Sequence, residues 1–65
     1  MQLNFFPTTA QGAERFEEAI NNSAFHAEYN EEGFFFFEED DVDSLEASLQ
    51  VIVDLHEIGG YFESE

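Results

Sequence analysis

The densest run of chemically capable side chains is Glu38-Glu39-Asp40-Asp41-Val42-Asp43, five carboxylates in six positions. Oxygen ligands so close together raise calcium coordination first. An EF-hand loop needs oxygens at fixed alternate positions, a Gly for the bend and a distal Glu. No Gly follows Asp43, and the segment turns helical at once, so a solvated acidic loop is expected and no metal. His26 and His56 are too isolated to form a site by spacing. His56 lies on an apolar helical stripe and is expected as a packed histidine. Catalysis fares no better. Without Cys or Lys, thiol, Schiff-base and P-loop chemistry are excluded. Ser23, Ser44, Ser48 and Ser64 have no nucleophile-elbow context. A chain of 65 residues also leaves little room for a substrate cleft. Neither an enzyme nor a cofactor is expected.

Charge is the extreme property. Sixteen Asp and Glu face one basic residue, Arg15, for a net charge of −15. Such a balance in a chain poor in hydrophobics means disorder. Here hydrophobic residues make up 43% and aromatics 17%, enough for a folded chain that opposes its own repulsion. Ordinary domains interleave Lys and Arg to relieve that repulsion; this one does not, which points to a use for the negative surface itself. Binding of nucleic acid rests on Lys and Arg, so a direct nucleic-acid contact is excluded, and the expected partner is basic. No apolar run approaches the roughly 18–20 residues of a membrane span. The start, Met1-Gln2-Leu3-Asn4, lacks a basic signal-peptide region, so the expected location is cytoplasmic.

The elements that must carry these residues follow from periodicity. Residues 1–6 alternate and form a first strand, with Leu3 and Phe5 inward, Phe6 outward and Pro7 as its end. Thr8 and Gln11 fit a capping box. Ala13, Phe16, Ala19 and Ile20 then mark a helical stripe that stops at Asn21-Asn22-Ser23. Residues 24–30 alternate again, with Phe25, Ala27 and Tyr29 on one face and Ala24, His26 and Glu28 on the other. Asn30-Glu31-Glu32-Gly33 has hairpin-loop chemistry.

Phe34-Phe35-Phe36-Phe37 cannot form one face of a helix and reads as a strand, with Phe34 and Phe36 expected beneath the helices. Asp43 with Glu46 makes a second capping box. Leu45, Leu49, Ile52, Val53 and His56 place a helix over 43–58, ended by a left-handed residue at Gly59-Gly60. Tyr61-Phe62-Glu63-Ser64 is long enough for a last strand.

The order strand–helix–strand–strand–helix–strand is the ferredoxin-like α+β pattern, one domain over 1–65: a four-stranded antiparallel sheet with two helices on one face. The other face is expected to carry Phe6, His26, Phe35, Phe37 and one of Tyr61 and Phe62. Phe35 and Phe37 are therefore the candidate aromatic contact residues. The candidate acidic surface is spread more widely. It takes Glu14, Glu17 and Glu18 on the first helix, Glu31 and Glu32 at the hairpin tip, Glu38, Glu39, Asp40, Asp41 and Asp43 in the loop, and Glu46, Asp54 and Glu57 on the second helix. The tail adds Glu63 and Glu65.

In size, acid excess, absence of Lys and compact α/β pattern the chain resembles the small phage-encoded DNA-mimic inhibitors: anti-CRISPR proteins, anti-restriction proteins and uracil-DNA glycosylase inhibitors. No motif carries the resemblance. It implies a stoichiometric inhibitor, monomeric or weakly dimeric in the host cytoplasm, bound to a basic DNA-binding protein or a CRISPR effector subunit. A type I surveillance complex is the favoured target. Two alternatives stand beside it. The aromatic sheet face could serve dimerisation or another protein contact, with charge conferring only solubility. The acid excess could also be an adaptation to high salt.

Overall fold

Residues 1–64 are described by the computed structural model; Glu65, counted above among the tail acids, lies outside them. Six elements follow one another: β1 (Gln2–Pro7), α1 (Ala10–Asn21), β2 (Glu28–Tyr29), β3 (Phe35–Glu38), α2 (Val42–Leu55) and β4 (Gly60–Ser64). The four strands form one antiparallel sheet in the order β2-β3-β1-β4. That is the ferredoxin-like arrangement expected from the element order. The last strand, signalled by only a few residues, pairs with β1 from Pro7↔Gly60 to Leu3↔Ser64.

Both helices cover one sheet face. Phe16 and Ile20 of α1 and Val42, Leu45, Leu49 and Val53 of α2 share a buried cluster with Leu3, Phe5, Phe35 and Phe37 from the strands. Phe16 is its centre. The ring stacks on Phe5 at 4.3 Å between centroids, tilts against Phe35 at 4.9 Å and meets Phe37 edge-on at 6.1 Å. Each such pair adds about 0.5–1.5 kcal/mol to the burial of the rings.

The alternation along the Phe run is the reverse of that expected. Phe35 and Phe37 are only 3% and 2% exposed, whereas Phe34 and Phe36 lie half-buried on the opposite face. The cause is register. β1 pairs with β3 as Leu3↔Phe37 and Phe5↔Phe35, and directly paired residues share a sheet face. A shift of one residue would exchange the two pairs of rings, and four identical residues offer no chemical preference between the two settings. Phe35 and Phe37 are therefore core residues and not a contact surface.

Other boundaries move by small, explicable amounts. Pro7 is the last strand residue rather than the one beyond it. The α1 cap is Thr9, not Thr8: its Oγ1 accepts from the Gly12 amide at 2.9 Å. The third helical position is then Gly12, which has no side chain to complete a capping box. The second strand shrinks to Glu28–Tyr29, although Phe25 and Ala27 still pack against the core.

α2 is capped by Asp41, whose carboxylate accepts from the Ser44 amide at 3.1 Å, and Asp43 falls in the first turn. There a negative charge still complements the helix dipole. The helix ends at Leu55, so His56 is an exposed C-cap and not a packed histidine. The left-handed residue after it is Glu57, at φ 53°, in place of the Gly pair. Its amide donates to the Asp54 carbonyl at 3.3 Å, and the Ile58 amide donates to the Val53 carbonyl at 2.9 Å. Together these bonds make a Schellman closure. The Gly pair has a different use at Gly60. A Cβ there would lie 2.5 Å from Phe5 Cζ and 2.6 Å from the Phe6 carbonyl oxygen, so only Gly lets β4 approach β1.

Two outcomes are expected from this packing. A domain of this length has roughly 3–10 kcal/mol of stability in total. Phe16→Ala should remove about 3–5 kcal/mol, a large share of that total, and sharply lower the melting temperature by circular dichroism, whereas Phe36→Thr on the open face should melt cooperatively close to the parent. Glu57→Gly should raise stability by about 1 kcal/mol in a urea titration, because Gly adopts the left-handed conformation without the Cβ penalty.

Candidate functional site

Two surfaces are open to a partner, and they differ in how they are built. The first is the sheet face that the helices leave bare. Alternation and register bring Gln2, Asn4 and Phe6 of β1, Phe36 and Glu38 of β3, Glu28 of β2, and Tyr61 and Glu63 of β4 to this side. Phe34, one residue before β3, joins them. Tyr61, Phe6 and Phe34 form a row across the sheet, with centroids 5.0 Å and 4.8 Å apart, and Phe36, in the neighbouring row, lies 6.5 Å from Phe34. Tyr61 is 53% exposed; Phe6, Phe34 and Phe36 are half-buried.

The next row is polar apart from Phe36. Glu28, Phe36, Asn4 and Glu63 are successive cross-strand neighbours, and Glu38 pairs with Gln2 beyond them. The Gln2 side-chain amide donates to Asn4 Oδ1 at 2.7 Å, which helps hold the buried Asn4 amide in place. His26, Glu28, Phe36 and Glu38 line a shallow hollow on this side. The bare face is thus an aromatic row with carboxylates along its margin.

The second surface is the distributed acid. Every Asp and Glu from Glu14 to Glu63 is exposed. Glu14, Glu17 and Glu18 stand on α1 beside Asn21 and Asn22. Glu31 and Glu32 occupy the β2–β3 turn, where the Glu32 amide donates to Asn30 Oδ1 at 2.8 Å. Glu38 ends β3, and Glu39, Asp40 and Asp41 link it to α2. Glu46 and Asp54 lie on α2, where Asp54 accepts from the Gln50 side chain at 3.0 Å. Glu57 closes that helix. The structure does not gather these residues into one patch; they cover both layers and the turns between them.

Arg15 lies with His56, Glu18, Ala19 and Ile52 along a groove of about 350 Å³ between the helices, so the one Arg does not offset the sheet-face carboxylates. Among the described residues no group of three or more His, Asp and Glu is placed to hold a metal ion. Nor, among these residues, is any helix long and apolar enough to cross a membrane.

Of the contact residues expected from sequence, Phe6 and His26 are on the bare face, and Tyr61 rather than Phe62 joins them. Phe62 instead packs on Phe5 at 4.8 Å. Phe34, Phe36 and the role of Glu28 beside them were not expected, since the inverted register alone brings them together. Alternation did place Glu28 with His26, the one signal available before pairing is known.

Neither a protein-family model, nor a curated protein, nor a solved structure matches the chain.

One carboxylate is set apart by its hydrogen bonds. Hydrogen bonding from the Ser44 backbone, then from its side chain, holds Asp41 below its ordinary value of 3.8. A depressed folded value means that its stabilisation is complete above the unfolded value and is lost as pH falls through the folded one. Asp41→Ala should therefore lower the melting temperature at neutral pH, and the gap between variant and parent should narrow as pH drops below about 4. Thermal melts of both proteins from neutral to acid pH measure it.

Proposed function

We propose that the protein is a DNA mimic: an inhibitor that binds the basic DNA-binding surface of a host nucleic-acid-processing complex and blocks DNA access. A type I CRISPR surveillance complex is the foremost target, and one monomer fills one site. The observation that carries this proposal is the exposure of every acid from Glu14 to Glu63 over a compact fold. The molecule measures 29 × 24 × 18 Å with a net charge of −15. Duplex DNA carries one negative charge per ~1.7 Å of axis, so 29 Å of duplex holds about 17. The two charge densities are alike, and a groove built for phosphate would meet a similar field.

The spread of acid over both layers also fits a field more than a single contact point. Complementary charge of this kind speeds encounter with a basic partner and sets a strong salt dependence. Dimerisation through Phe35 and Phe37 has no surface to use, because both rings are in the core.

The test is a competition between this protein and a protospacer duplex for a purified type I surveillance complex. Duplex loading should fall stoichiometrically as the protein is added. Inhibition should weaken about tenfold or more between about 50 and 200 mM NaCl. Combined replacement of Glu38, Glu39, Asp40 and Asp41 by Lys should weaken it, while any one replacement has little effect. A ternary complex holding duplex and protein together, with neither affecting the other, would overturn the proposal.

A further inference from the structure

We propose that the contact is made by the bare sheet face, which docks an Arg-rich protein segment. The Arg guanidinium groups lie on the Tyr61–Phe6–Phe34 row and on Phe36 beside it, and reach Glu28, Glu38 and Glu63 at the margin of these rings. The proposal rests on the reading of the partner as a basic protein and specifies which surface meets it, and by what chemistry.

Three observations converge. The rings form a continuous aromatic platform, with neighbouring centroids 4.8–6.5 Å apart, and neither helix covers it. Guanidinium groups stack on such faces better than ammonium groups do. The carboxylates are close enough to share a ligand with the rings. Glu28 is the direct cross-strand neighbour of Phe36, while Glu63 and Phe36 both flank Asn4. A planar cation on the rings can therefore fork to a carboxylate. Finally, the face has no basic side chain of its own except His26, since Arg15 lies between the helices.

The same features decide against other occupants. A second copy would bring a face carrying Glu28, Glu38 and Glu63 against another face of the same negative sign. A nucleic acid could stack on the rings but would bring phosphate against those carboxylates.

Charge alone does not distinguish Arg from Lys, whereas this surface should. The probes are two peptides of equal length and charge, one alternating Arg and Gly and the other alternating Lys and Gly. In NMR titrations of the intact protein the Arg peptide should bind about fivefold more tightly and should shift resonances of Phe6, Phe34, Phe36 and Tyr61. Phe36→Thr, and separately Glu28→Gln with Glu38→Gln, should abolish the preference for Arg while retaining the parent's amide spectrum. Glu14→Gln with Glu17→Gln and Glu18→Gln should weaken both peptides alike and leave the preference intact.

Equal affinities with shifts centred on α1 would overturn the proposal. So would folded sheet-face variants that keep the preference. If those variants still exclude duplex DNA from the surveillance complex at parental potency, DNA mimicry stands and the sheet-face contact falls. Arg-selective binding on the sheet without any effect on duplex loading supports this surface and removes DNA mimicry.

Discussion

The pairing of β1 with β3, set by Leu3↔Phe37 and Phe5↔Phe35 and clamped by Phe16, is the constraint on which the rest of the structure depends. β1 is the strand that both helices cover and on which β4 assembles. β2 pairs with β3 at the edge of the sheet. Once Phe16 fills the space above Phe5, Phe35 and Phe37, the helix layer has its centre. The remaining Phe residues of the run must then face away from it. Core and open face are two consequences of one register.

The architecture was legible from sequence because it depends on patterns that tolerate error. The helical stripes through Phe16 and Ile20, and through Leu45, Leu49 and Val53, survive shifts of a residue or two at their ends. So do the stop at Asn21-Asn22-Ser23 and the hairpin chemistry of Asn30–Gly33. The cap positions were less legible because neighbouring candidates compete. Thr8 and Thr9 both offer a hydroxyl, and Asp41 and Asp43 both offer a carboxylate. The choice falls on whichever lies three residues before a free amide in the finished helix. Glu57 was hidden for a related reason. Gly59-Gly60 is the obvious left-handed signal, yet the Val53–Ile58 hydrophobic closure places the turn earlier. The candidate site was least legible of all, because the side on which a ring points depends on register, and Phe34 to Phe37 are identical.

Composition and fold also explain one another. A small domain without Cys cannot lean on disulfides, and with sixteen acids it must oppose its own charge. Aromatic residues answer this by burying much area per residue and by interacting in specific geometries. The core accordingly gathers Phe5, Phe35 and Phe37 around Phe16, with the partly buried Phe62 packed on Phe5. Exposed carboxylates are kept to helix faces, turns and strand margins, where solvent and counterions moderate their repulsion.

Screening sets how far that repulsion, and any attraction, extends. At physiological ionic strength the Debye length is about 8 Å, well below even the shortest dimension of the molecule, 18 Å. Glu14, Glu17 and Glu18 on the helix layer and Glu28, Glu38 and Glu63 on the sheet therefore act largely independently at close range. The net charge governs the approach of a basic partner, but the docked contact is decided by what each face presents locally. On the helix side that is carboxylates beside Arg15, His56 and the exposed aliphatic side chains of Val51 and Leu55, and neither helix carries an exposed Phe or Tyr. On the sheet side it is carboxylates beside a platform of rings, which adds a shape-dependent attraction that salt does not screen. A partner drawn in by the whole field would for that reason settle on the sheet, and the register of β1 on β3 is what put the rings there.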